Sequence, residues 1–69
     1  MNQYAEIISR QTGIRAEQVE AVIDLLDAGA TIPFISRYRK EATGNLNEVQ
    51  VALISDLYEK LKELNKRKE

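Results

Sequence analysis

Three glycines, Gly13, Gly29 and Gly44, cut the 69-residue chain into pieces of helical length. Each stands just past a segment whose apolar residues recur at three- and four-residue steps. A left-handed residue closes a helix at such a place, and glycine adopts that conformation without a Cβ penalty. The only proline, Pro33, falls near the start of the third piece. There its missing N–H loses no partner, so it marks a helix start rather than a break. The expectation is an all-α, small four-helix bundle with a long C-terminal helix. Connections of a few residues around Gly29 and Gly44 require successive helices to pack closely, as hairpins or at steep angles.

The first helix is predicted over about Gln3 to Gln11, with Asn2 as its N-cap and Tyr4, Ile7, Ile8 and Gln11 along one side. Ile14 follows Gly13 where a hydrophobic C-terminal contact sits. The second helix is predicted over Ala16 to Ala28, burying Val19, Val22, Ile23 and Leu26. Glu17, Glu20, Asp24 and Asp27 make a separate acidic stripe. All four come from one surface helix, so they read as a solvated face and not as a metal site. The third helix takes Thr31 as its capping side chain and runs from Pro33 to Glu41. Phe34, Ile35 and Tyr38 share a face there, predicted to wedge into the neighbouring helices, with Arg37 and Arg39 flanking it and Lys40 turned away.

Asn47 and Gln50 open the fourth helix as a capping box, and the helix runs to about Lys66. Ile54, Leu57, Leu61 and Leu64 step by three and four, a seam that Val49, Leu53 and Tyr58 widen near its start. This seam is longer than three short helices can cover. That implies a piece of a longer protein, or a helix that pairs with a second copy to give a homodimer. The predicted core is Ile7, Ile8, Val19, Val22, Ile23, Leu26, Phe34, Ile35, Tyr38, Leu53 and Leu57.

Composition narrows the function. With no cysteine there is no disulfide and no cysteine-based zinc site; with no histidine the usual general base and the commonest metal ligand are gone. Ser9, Ser36 and Ser55 therefore have no base, and no glycine-rich phosphate loop exists. No enzyme activity, metal or cofactor is expected. No apolar run approaches the roughly 20 residues of a membrane span, and no secretory signal opens the chain. A cytoplasmic location without membrane contact follows as the expectation.

Charge is unevenly placed. Residues 1–36 carry two basic and five acidic side chains, residues 37–69 eight basic and six acidic. The second half can therefore present a basic contact patch. Its candidate nucleic-acid-binding residues are Arg37, Arg39 and Lys40, with Tyr38 between them. Guanidinium groups take phosphate bidentately, and a basic-aromatic strip suits a phosphate backbone. The alternative is structural: Arg37 and Glu41 at i,i+4 can pair, and the arginines can cap helix ends or bridge to other domains. The tail Lys60, Lys62, Lys66, Arg67 and Lys68 alternates with Glu59, Glu63 and Glu69 and reads as a solvated helix face.

The run Thr31-Ile32-Pro33-Phe34-Ile35-Ser36-Arg37-Tyr38-Arg39-Lys40-Glu41, then Thr43-Gly44 and Leu46-Asn47-Glu48-Val49-Gln50, resembles the N-terminal module of the Tex family of bacterial transcription accessory proteins. Ile14 through Val19 and Leu25 through Ala30 resemble that family's second helix and its exit, so the likeness spans roughly residues 5–64. Ser36 stands where alanine is commoner, and Asn45 and Asn47 where glycine and aspartate are commoner; Asn47 keeps the capping role. The resemblance implies a helix-turn-helix-like start of a much larger protein. Downstream it implies an RNase H-like domain, a helix-hairpin-helix segment and an OB-fold RNA-binding barrel. RNA or DNA would then be bound through the full-length parent, whose later domains pack on Ile54, Leu57, Leu61 and Leu64. The chain's expected function is scaffold and accessory nucleic-acid-binding module, or else an interaction scaffold with no nucleic-acid contact of its own.

Overall fold

The computed structural model describes residues 3–66, with side chains through Leu64. Five helices follow one another: α1 Gln3–Thr12, α2 Ala16–Asp27, α3 Ile32–Tyr38, α4 Lys40–Thr43 and α5 Glu48–Lys66. The all-α class is as read from sequence. The expected third helix is two, parted at Arg39 (φ −124°, ψ 32°). Packing explains the break. α3 lies mainly on α5 while α4 lies on α2, and one straight rod cannot reach both. The proposed Asn2 cap and the basic tail beyond Leu64 lie outside the described side chains.

Local chemistry sets the helix ends as expected. The α2 exit closes with the Ala30 N–H donating to the Leu25 carbonyl and the Gly29 N–H to that of Leu26, both at 3.0 Å. Gly29, at φ +96°, makes this double closure possible. Thr31 Oγ1 accepts from the Phe34 N–H at 3.3 Å and caps α3. At the start of α5 the capping box is reciprocal. The Gln50 N–H donates to Asn47 Oδ1 at 2.8 Å, and the Asn47 N–H to Gln50 Oε1 at 3.1 Å.

The core is built from Ala5 and Ile8 of α1, Val19, Val22 and Ile23 of α2, Ile35 of α3, and Val51, Ile54 and Tyr58 of α5. Ile14 and Leu46, from the connections, complete it. Leu26, Leu57 and Leu61 pack half-buried around it. Full burial of an isoleucine such as Ile8, Ile23, Ile35 or Ile54 contributes about 1.5–3 kcal/mol.

Four predicted core residues are exposed instead: Ile7, Phe34, Tyr38 and Leu53. On α1 the inward face is turned toward Ala5, because Tyr4 sets its ring edge against Tyr58 at 5.6 Å. On α3 only Ile35 and Ser36 are buried, and the short helix shows its other side to water. The predicted wedge of Phe34 and Tyr38 is therefore absent. On α5 the buried line is Val51, Ile54 and Tyr58, displaced from the predicted Ile54-Leu57-Leu61-Leu64 seam. Ile54, fully buried inside the chain, is not available to an outside partner, while Leu64 is 63% exposed.

One polar tie crosses the core. The Tyr58 hydroxyl, on a buried side chain, donates to Asp27, at 2.9 Å from Oδ1 and 3.1 Å from Oδ2. Burial first, then this hydrogen bond and the carboxylate's charge, push the phenol up to about 12. Asp27 thus does more than line a solvated stripe: it ties α2 to α5.

Candidate nucleic-acid interface

The candidate residues meet where α3 turns into α4. Thr31 and Pro33 start α3, the buried Ile35 and Ser36 press it against the core, and its outer side carries Phe34, Arg37 and Tyr38. The rings of Phe34 and Tyr38 sit 5.5 Å apart at a tilt of 42°. Arg39 comes from the break between the helices and lays its guanidinium carbon 5.6 Å from the Phe34 centroid. That is cation–π range, where the ring's negative face attracts the charge. Arg37, Arg39 and Lys40 are all exposed.

The Arg37–Glu41 ion pair of the structural alternative is not among those of the described residues, which join Lys60 to Asp56 and Lys62 to Glu59. The kink at Arg39 removes the i,i+4 helical spacing that such a pair needs. This α3–α4 rim leaves Arg37, Arg39 and Lys40 open to solvent.

A latch holds the second half of the rim. Gln18 of α2 donates its side-chain amide to the Thr43 carbonyl at 2.9 Å and the Gly44 carbonyl at 3.1 Å. Thr43 is fully buried. Gly44 takes φ +71°, and a Cβ there would meet the Gln18 side-chain amide. Glycine suits this turn for its backbone angle, and a larger residue would have to displace Gln18 from its two carbonyls. Sequence reasoning had no signal for Gln18, whose partners are 25 and 26 residues away.

Behind Phe34 and Arg39 lies an open groove of about 410 Å3, floored by Leu25 and the Ala28–Thr31 connection. Among the described residues no group of three or more acidic, cysteine or histidine side chains is placed to hold a metal ion, the acidic stripe of α2 included. No helix of the described residues is long and apolar enough to cross a membrane.

The rim is built from the residues that carry the family likeness. The family model described as Tex-like protein N-terminal domain matches residues 2–69. The chain belongs to the Tex family. Relatives agree along nearly its whole length. It is 47% identical over 62 residues to the transcriptional accessory protein Tex of Neisseria gonorrhoeae, covering 90% of this chain and 8% of that protein. It is 48% identical over 62 residues to YdcI of Bacillus subtilis (strain 168), covering 90% of this chain and 9% of that one. With protein YhgF of Escherichia coli (strain K12) it shares 42% over 66 residues, 96% of this chain and 8% of that protein. The chain spans less than a tenth of the length of these Tex relatives.

Proposed function

We propose that this Tex N-terminal module is a helical scaffold that also contacts nucleic acid through the α3–α4 rim, as an accessory to the larger parent protein in the cytoplasm. The single supporting observation is the solvent-facing side of α3–α4. Two adjoining aromatic rings lie there with Arg39 against one of them, and the exposed Arg37 and Lys40 have no ion-pair partner among the described residues. Exposed arginine and lysine on one edge suit phosphate, and the aromatic neighbours suit bases or sugars. The transcriptional role named for the gonococcal relative is consistent with an RNA or DNA partner. The module itself carries no reaction; catalysis, if the parent has any, belongs elsewhere.

The test is a salt titration of labelled RNA and duplex DNA against the 69-residue chain and its Arg37→Ala/Arg39→Ala/Lys40→Ala variant. Loss of two or three phosphate contacts lowers the magnitude of the log–log salt slope by roughly 2 and weakens binding. An unchanged affinity and slope would make the three side chains structural.

A second reading rests on α5. Val49, Leu53, Leu57 and Leu64 fall within about 80° of one another at 100° per residue, and all but Leu57 are exposed. A stripe of this kind suits another helix, from the parent or from a second copy. This interaction-only reading expects no binding of either nucleic acid and a mass that rises with concentration in sedimentation.

A further inference from the structure

We infer that the rim is a stacking site for an unpaired base, so that the nucleic acid it takes is single-stranded; this rests on the nucleic-acid reading above. Tyr38 is 69% exposed and Phe34 39% exposed, although both sit on a helix whose other side is fully packed. A lone exposed ring is ordinary, but two adjoining rings with a guanidinium over one of them form a continuous π surface.

In a duplex the base faces are covered by one another, and only their edges reach a protein. An exposed ring finds a base face only where the strand is unpaired. The open face of Tyr38 offers that contact. Arg39, already stacked on Phe34, is placed to flank the base, and the exposed Arg37 and Lys40, within two residues of it in the chain, supply charge for neighbouring phosphates. The open groove of about 410 Å3 beside Phe34 and Arg39 continues this surface.

The experiment compares a labelled 12-nucleotide oligouridine with a 12-base-pair duplex by fluorescence anisotropy in low salt. Both are titrated with the wild-type chain, Tyr38→Ala, Tyr38→Phe and the triple alanine variant, with circular dichroism confirming helicity. Stacking requires that the single strand bind more tightly than the duplex. It also requires that Tyr38→Ala weaken the strand by about tenfold without altering its salt slope, and that Tyr38→Phe retain affinity. If strand and duplex bind alike, with Tyr38→Ala inert and the triple variant defective, stacking is overturned and phosphate binding stands. If neither ligand binds the wild type, the nucleic-acid reading falls and takes this one with it; the rim then faces protein.

Discussion

Removing the Tyr58 hydroxyl probes the polar tie between α2 and α5. In Tyr58→Phe the ring keeps its packing on Tyr4, while the donor to both Asp27 oxygens is lost. A hydrogen bond to a charged group contributes about 1.5–3 kcal/mol, but Asp27 is exposed and water replaces part of it. The expected loss at neutral pH is therefore about 1–2 kcal/mol, a fall of about 5–15 °C in Tm for a domain of this size. The sign then depends on pH. Folding raises the phenol from 10.0 to about 12. Below pH 10 the phenol is protonated in both states and the wild-type advantage is complete. Between pH 10 and 12 the unfolded chain gives up its proton first, so wild-type stability falls, by up to about 2.7 kcal/mol. The Tyr58→Phe variant has no such proton. Thermal melts of both proteins by circular dichroism from pH 8 to 12 read the difference. The wild-type advantage should shrink above pH 10, reach zero before pH 12 and then reverse in sign. A constant difference across that range would refute the buried, Asp27-bound phenol.

The Gln18 latch makes two further forecasts for urea unfolding. Gln18→Ala should cost about 1–2 kcal/mol by freeing two carbonyls. Gly44→Ala should cost more than Gly13→Ala, because both share a positive φ but only Gly44 has a side chain in the way. On α5, Ile54→Ala should cost about 2–5 kcal/mol and Leu64→Ala less than about 0.5, measured the same way, since one is fully buried and the other faces water.

Helix existence and helix ends were legible because their causes are local. Thr31, Pro33, the Asn47-Gln50 box and the glycine exits act within five residues. The inward face of α3 was not legible. Seven residues make only two turns, and Phe34, Ile35 and Tyr38 leave an apolar arc too broad to show which edge meets the core. On α5 two overlapping seams compete, and Val51-Ile54-Tyr58 prevails because Tyr58 reaches Asp27 and Tyr4. That pairing joins residues 31 apart, and periodicity within one helix carries no trace of it. The break at Arg39 likewise follows from α3 and α4 having different packing partners. Arg37, Arg39 and Lys40 are exposed, and so are Phe34 and Tyr38, which the shared apolar face had assigned to the core. Family membership survives the missing wedge because it rests on the residue pattern and not on which side of α3 is buried.

The most direct test of the rim as the nucleic-acid face is a backbone amide NMR titration of the 69-residue chain with an oligouridine. Shift changes should concentrate at Gly29–Thr31 and Phe34–Lys40, with α1 unmoved. Changes centred on the Val49–Leu64 side of α5, with the Phe34–Lys40 amides silent, would contradict it.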